Sequence, residues 1–166
     1  MPIKEKLSKC LKEGEKGERH KGLRKMDISE ERVKAHLKKA VHNFKAMISF
    51  QKTGFSDWSA SASFYCLYHC LLALMAKEGY ESRNQSCTFA LIEDMIGRKK
   101  IALTTDDLKE IFDKDVTQNL QHSDKILDIR ERMQYSVKTA LEQEEFLELR
   151  ERTKILFSKI RTEIEK

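Results

Sequence analysis

Residues 58–79 constrain the fold of this chain more than any other stretch. They carry no formal charge before Lys77, although 36% of the whole sequence is Asp, Glu, Lys or Arg. A helix that is apolar on nearly every side is stable in water only when other helices cover it. The stretch is therefore predicted to be the central helix of a helical bundle.

The same stretch is about long enough to cross a bilayer, which takes roughly 20 apolar residues. It contains three serines, two tyrosines and a histidine, and these polar groups argue against a position in lipid. The first residues of the chain are polar and contain no apolar run, so no secretory signal is predicted. We expect a cytoplasmic protein without a membrane-spanning segment.

An amphipathic helix is predicted before the central one. Apolar residues recur at helical spacing over residues 33–48, and Asp27 and Glu30 have the spacing of a capping box at its start. The helix is expected to end before Gly54. Ser56 or Asp57 is then predicted to cap the central helix.

Further helices are predicted after a polar loop at residues 80–86. One covers about residues 87–96. A second begins at Thr104 or Thr105 and extends to about residue 133, with an interruption of its apolar pattern at residues 121–124. A last helix covers about residues 139–164. No alternation typical of strands is present. The prediction is an all-α, up-and-down bundle of four to five helices.

Residues 1–26 are predicted to form a basic N-terminal arm that precedes a bundle over residues 27–166. The first 25 residues contain nine Lys or Arg and four Glu, a net charge of +5 that equals the net charge of the whole chain. A helix is predicted at about residues 4–12, before a loop at Gly14 and Gly17. A basic arm can bind a phosphate backbone without reading sequence, but a solvated lead-in is favoured.

Cysteine and histidine lie close together at only one place in the sequence. Cys66, His69 and Cys70 fall within one and a half helical turns and could offer three soft metal ligands. Free cysteine is often buried as a small apolar residue, so packing is favoured and no metal or other cofactor is expected. All cysteines are expected to be reduced. The other histidines are expected at the surface: His20, His36, His42 and His122.

Residues 128–135 combine an arginine with hydrogen-bonding side chains. Gln134 follows Arg130 by four residues and Tyr135 follows it by five, so these side chains can share one side of a helix end. Arginine can neutralise charge on a phosphate, and tyrosine can donate a hydrogen bond. On spacing alone, however, a solvated and ion-paired helix face is the favoured interpretation.

The order of these segments resembles the HEPN family, small helical-bundle proteins of archaea and bacteria. The resemblance rests on SASFYCLYHCLLAL at residues 61–74, on GYESRNQ at residues 79–85 and on RERMQY at residues 130–135. It covers nearly the whole chain, including the arm. It points to the tyrosine-bearing subgroup that often pairs with a minimal nucleotidyltransferase.

The resemblance implies a homodimer in which the fourth-helix motifs of two subunits face each other across a cleft. Active members carry an arginine followed by a histidine and cleave RNA without a metal. Arg130 matches the arginine, but residues 134–137 contain no histidine, and Tyr135 is the nearest equivalent. Tyrosine, with a pKa near ~10, is a poor general base at neutral pH, and losing a general base costs about 10²–10⁴ in rate.

We therefore expect a dimeric RNA- or nucleotide-binding component of a toxin–antitoxin or defence pair, with weak or no ribonuclease activity. Arg130, Arg132 and Gln134 are the predicted binding residues, and Arg130 and Tyr135 are the candidate catalytic residues. One alternative is a metal-independent endoribonuclease toxin with Tyr135 or His122 as proton donor. The other is a structural module that docks a nucleotidyltransferase antitoxin. In this subgroup the motif tyrosine is also a candidate for modification.

Overall fold

The computed structural model describes residues 1–112 and 125–166 of the chain. Within these residues seven α-helices and two short strands are present. The helices are α1 (Ile3–Gly14), α2 (Glu30–Lys52), α3 (Ser59–Lys77), α4 (Gln85–Gly97), α5 (Thr105–Ile111), α6 (Lys125–Tyr135) and α7 (Gln143–Glu165). The strands are β1 (Leu23–Lys25) and β2 (Tyr80–Ser82), and a 3₁₀ turn at Ser56–Trp58 leads into α3. The predicted all-α bundle is confirmed.

Helix α3 is the central helix of the bundle, as predicted. Of its 19 residues, 15 are buried, and it packs against α2, α6 and α7. Ser56–Lys77 has the length and the mean hydropathy, 1.3, of a membrane span, but 83% of its most apolar window is buried within the fold. Burial against the neighbouring helices explains why α3 has no charged residue before Lys77.

Two of the three serines of α3, Ser59 and Ser63, are hydrogen-bonded inside the bundle. Ser59 Oγ donates to the carbonyl oxygen of Met47 at 2.8 Å, and the hydroxyl oxygens of Ser63 and Thr153 lie 2.6 Å apart. Buried polar groups without partners are costly. These two bonds tie α3 to α2 and to α7, so the serines help to hold the bundle together.

Two of the predicted helix caps are wrong. Ser29, and not Asp27, caps α2, because the Ser29 hydroxyl accepts a hydrogen bond from the Arg32 backbone N–H. Trp58 occupies the cap position of α3, and within residues 1–112 no side chain caps that helix. Ser56 Oγ instead accepts from the Leu141 backbone N–H at 2.8 Å, which fixes the chain just before α7.

The cap predicted at Thr104 is confirmed. Its hydroxyl accepts from the Asp107 N–H at 3.1 Å, and the Asp107 carboxylate accepts from the Thr104 N–H at 3.0 Å, as in a capping box. Residues 113–124 lie outside the described residues, and with them the predicted pause at 121–124 and His122. Helix α7 begins four residues later than predicted, at Gln143.

The two strands were not predicted from the sequence. They pair antiparallel, with Leu23 opposite Ser82 and Lys25 opposite Tyr80. Strands of three residues are too short to show a period of two. Helix α1 ends against them at Gly14, where an added Cβ would lie 1.7 Å from the Leu23 carbonyl oxygen. Only glycine allows the helix to approach the strand so closely.

The arm is partly helical and more than half exposed, in keeping with the favoured solvated lead-in, but it is also fixed to the bundle. Cys10 and Leu23 are buried in the core. Cys10 forms a disulfide with Cys87 of α4, contrary to the expected reduced thiols, whereas Cys66 and Cys70 are free and buried. The bonded cysteines are 77 residues apart in sequence, so no local spacing could have indicated the pair.

His20 of the arm was expected at the surface but is only 3% exposed. Its Nδ1 accepts a hydrogen bond from the Gly22 backbone N–H at 3.2 Å. Its Nε2 lies 3.6 Å from the Glu81 carboxylate on β2. The histidine thus lies inside the junction between the arm and the two-stranded sheet. His42 is exposed, as expected.

Candidate functional site

Arg130 of α6 lies over an aromatic ring of the central helix. Its guanidinium carbon is 3.7 Å from the centroid of the Phe64 ring, which is fully buried. Phe64 in turn stacks on Tyr68, with centroids 5.7 Å apart and an angle of 12° between the rings. An arginine over an aromatic face is held by a cation–π interaction. The central helix therefore supplies a rigid aromatic base for the arginine.

The apolar spacing of α6 explains where Arg130 lies. Ile126, Ile129 and Met133 recur at helical spacing and are buried against the core. Arg130 is next to this face and is half-buried, with Phe64 beneath its guanidinium. The side chain is therefore partly removed from water, but one side of the guanidinium stays accessible.

The electrostatic surroundings of Arg130 leave its charge available to a ligand. Burial lowers the pKa of the guanidinium, while Tyr65, Glu131 and Tyr135 act in the opposite direction. Arginine remains protonated in proteins at neutral pH. Arg130 makes no ion pair with a carboxylate of the described residues. A guanidinium that is charged, partly desolvated and has free N–H donors is suited to binding a phosphate group.

Two exposed aromatic side chains lie near the packing of α3 against α6, and one of them, Tyr65, is close enough to Arg130 to affect its pKa. The Tyr65 ring is 44% exposed and meets the Phe64 ring edge-on, with centroids 5.2 Å apart. Trp58, 58% exposed, lies seven residues earlier on the same side of the helix, and the 3₁₀ turn that contains it packs against α6. Aromatic faces beside an arginine are typical of surfaces on which unpaired bases stack.

The structure brings together some of the predicted site residues. Tyr135, the last residue of α6, is 83% exposed and close enough to Arg130 to affect its pKa. Gln134 lies one turn after Arg130 and is exposed. Arg132 is different, because its guanidinium forms an ion pair with the Glu145 carboxylate of α7. Arg130, Gln134 and Tyr135 thus form one surface, while Arg132 is held toward α7.

Phe64 and Tyr65 were not predicted as site residues. The signal was present in the sequence, as two adjacent aromatic residues in an uncharged helix. Only the packing of α6 against α3 shows that Phe64 lies beneath Arg130 and that Tyr65 lies close to it.

A pair of histidines joins α2 to α3, with His36 on α2 and His69 on α3. The Nδ1 atoms of His36 and His69 are 3.2 Å apart, so one ring donates to the other. Burial lowers the pKa of His69 to about 4, and His36 and Lys39 contribute in the same direction. Burial, followed by Arg32, also lowers the pKa of His36. His36 is half-buried and faces His69, so its expected surface position is wrong.

The three candidate soft ligands of α3 do not converge. His69 faces His36, whereas a hydrogen bond with Cys66, together with burial, raises the pKa of the Cys70 thiol. Within residues 1–112 and 125–166, no group of three or more His, Cys, Asp or Glu residues is arranged to hold a metal ion.

Comparison with known proteins places this arrangement in a family. No curated protein matches the sequence. The sequence model of the HEPN domain matches residues 33–162, or 130 of the 166 residues. This range begins in α2, contains α3 and the Arg130 surface, and ends in α7, so that only the arm and the chain ends lie outside it. The chain belongs to the HEPN family.

Proposed function

We propose that this HEPN protein is a homodimeric RNA- or nucleotide-binding component of a toxin–antitoxin or defence pair, with weak or no ribonuclease activity. Family membership supports the general assignment, because HEPN proteins are related to RNA and nucleotide chemistry and often belong to toxin or defence systems. The Arg130 surface supports the specific one.

The single observation that carries the proposal is the position of the Arg130 guanidinium. It lies on the buried Phe64 ring, is partly desolvated, and has no carboxylate partner among the described residues. Hydrogen bonds between a guanidinium and a phosphate are charge-assisted and often bidentate. Trp58 offers an exposed ring on which a base could stack.

Weak or absent cleavage follows from the side chains near Arg130. Residues 134–137 contain no histidine, and the exposed Tyr135 hydroxyl is suited to donating a hydrogen bond but not to removing a proton at neutral pH. In the proposed complex Arg130 binds the phosphate and Tyr135 donates a hydrogen bond to it. Attack on the phosphate then lacks a general base.

A homodimer is proposed from the exposed apolar side chains around the same surface. Tyr65, which lies close to Arg130, and Val137, two residues after the end of α6, are exposed although they are large and aromatic or apolar. Exposed apolar patches mark interaction sites. A second copy that packs here would bring two Arg130 side chains to one cleft.

RNA binding and cleavage by purified protein test the proposal together. Fluorescently labelled single-stranded RNA is titrated at low and at moderate salt, and its length is followed over time. Arg130→Ala is expected to weaken binding by about tenfold or more, as for a lost charged hydrogen bond. The matched control is Arg150→Ala, an exposed arginine of α7. Absence of binding even at low salt would overturn the RNA assignment.

The same samples decide the endoribonuclease alternative. Rapid cleavage that is abolished in Arg130→Ala and retained in Arg150→Ala would establish an efficient ribonuclease and contradict the proposed weak or absent activity. Cleavage unchanged by Arg130→Ala would come from a contaminant. We expect at most weak cleavage that depends on Arg130.

Sedimentation velocity tests the dimer. The native chain is expected to sediment as a dimer, and Tyr65→Glu is expected to shift it to a monomer because a charge would be buried at the interface. Lys45→Glu, on the exposed side of α2, is the control. A native chain that remains monomeric at all concentrations would contradict the composite site.

Docking of a nucleotidyltransferase is the second candidate function, and the exposure of Tyr135 favours it. At 83% exposed, its hydroxyl can be reached by a partner enzyme. Co-expression with a candidate nucleotidyltransferase, followed by the intact mass of the chain, would show a modification. Loss of the mass shift in Tyr135→Phe would assign it to this residue, and an unchanged mass of the native chain would contradict modification.

A further inference from the structure

A cavity of about 530 Å³ lies between the arm and the bundle. One wall is the side of α1 that carries Leu7 and Leu11, one helical turn apart. The opposite wall is the side of α4 that carries Leu91 and Met95, also one turn apart, and Leu23 of β1 lies between them. The volume falls within the roughly 300–1,000 Å³ of small-molecule sites, and the lining combines polar with apolar side chains.

Positive charge is concentrated at the rim of this cavity. Lys4, Lys25 and Lys100 are exposed there, and none of them makes an ion pair with a carboxylate of the described residues. Arg98 is paired with Asp94 at 3.0 Å. The four cationic side chains and the two acidic ones, Asp94 and Glu78, give the lining a net charge of +2.

The walls of the cavity are fixed to each other by covalent and backbone bonds. The Cys10–Cys87 disulfide joins α1 to α4. The pairing of β1 with β2 places Lys25 opposite Tyr80, which also lines the cavity. The space is therefore a preformed part of the fold, and the arm that forms half of it precedes the HEPN-matched residues 33–162.

We propose that this cavity binds a phosphomonoester that carries an apolar or aromatic body. A phosphomonoester bears a charge of about −1.5 to −2 at pH 7, which matches the net charge of the lining. The phosphate would meet the exposed lysine ammonium groups, where little desolvation is needed, and the apolar part would lie against Leu7 and Leu11, the partly exposed leucines of the lining. The site shares no residue with the Arg130 surface, so it stands independently of the proposed function.

Calorimetric titration of the full-length, oxidised protein tests the proposal with four probes. Octyl phosphate and adenosine 5′-monophosphate represent alkyl and nucleotide sources of the same chemistry. Octanoate has a similar alkyl chain with a single negative charge, and inorganic phosphate has no apolar part. At least one of the two phosphomonoesters is expected to bind at a single site per chain, and more tightly than octanoate or inorganic phosphate by about tenfold or more.

Two variants locate the binding. Ser8→Trp fills the cavity from an exposed position of α1 and is expected to abolish binding. The double variant Lys25→Glu/Lys100→Glu changes the net charge of the lining from +2 to −2 and is expected to weaken binding at least about tenfold. Exposed lysines of α2 provide the matched control, Lys34→Glu/Lys38→Glu, which should bind as the native chain does.

Several results would overturn the proposal. One is that neither phosphomonoester binds at millimolar concentration. Another is that binding survives both Ser8→Trp and the double charge reversal. Octanoate or inorganic phosphate binding as tightly as the esters would contradict the assigned ligand class. Binding of adenosine monophosphate that is lost in Arg130→Ala but retained in Ser8→Trp would place the nucleotide at the Arg130 surface instead.

Discussion

Removal of the Cys10–Cys87 disulfide is expected to destabilise the protein strongly. The bond joins α1 to α4 across 77 residues of sequence. Both cysteines are buried, and the arm that the bond holds contributes Leu23 to the core. The perturbation is made in two ways, by adding a thiol reductant to the native protein and by the double substitution Cys10→Ser/Cys87→Ser.

The expected magnitude follows from the length of the closed loop. For a separation of 77 residues, the chain-entropy relation gives about 4.5 kcal/mol at 25 °C, and typical disulfides contribute roughly 2–4 kcal/mol. Small domains unfold at a cost of about 5–15 kcal/mol in total. The free energy of unfolding should therefore fall by about 2–4.5 kcal/mol, a large part of the total.

Urea unfolding followed by circular dichroism measures this difference. The reductant should lower the unfolding midpoint of the native protein but leave the midpoint of the double variant unchanged, which serves as the control. Thiol titration in denaturant should detect two thiols, Cys66 and Cys70, before reduction and four afterwards. Four thiols without reductant, together with unfolding curves that the reductant does not move, would refute the disulfide and the rigid attachment of the arm.

Two further predictions concern side-chain pairs in the bundle. The pKa of His69 is lowered to about 4 from an ordinary value of 6.5. Between these two pH values the unfolded chain therefore binds more protons than the folded chain does. The free energy of unfolding should fall as the pH drops from 6.5 to 4. Because His69 is half-buried, solvent screening reduces this fall in the free energy of unfolding to about 1 kcal/mol. Urea unfolding across this pH range should show the fall. The substitution His69→Gln should remove it, and the control His42→Gln should not. Arg152 forms two hydrogen bonds, of 2.7 and 2.6 Å, with the buried Glu110 carboxylate, so Arg152→Ala should lower the free energy of unfolding by about 2–3 kcal/mol. The exposed control Arg150→Ala should change it by less than about 0.5 kcal/mol, and equal effects of the two substitutions would contradict the role of the pair.

The helices could be predicted from the sequence because their signals are local. The uncharged stretch that became α3 and the amphipathic pattern of α2 each fall within one window of the chain. The choice between Asp27 and Ser29 as the cap of α2 depends on how the chain leaves β1, which residue types alone do not determine. The strands and the disulfide join residues far apart in sequence, so no local pattern contains them.

The candidate site, like the fold, could be predicted from the sequence only in part. The spacing of Arg130, Gln134 and Tyr135 at one helix end indicated a shared surface. The Phe64 ring beneath Arg130 belongs to another helix, and the ion pair that holds Arg132 toward α7 is also a contact between helices. Such contacts depend on packing, so the sequence could nominate the two arginines but could not predict what each of them touches.

The salt dependence of RNA affinity tests the central claim most directly. Each phosphate contacted on single-stranded RNA contributes about 0.7 to the slope of log affinity against log salt concentration. If two Arg130 side chains of a dimer contact phosphates in one cleft, Arg130→Ala should reduce the magnitude of that slope by about 1.4. Arg150→Ala should leave it unchanged. A slope that Arg130→Ala does not alter would contradict the phosphate contact on which the proposed function rests.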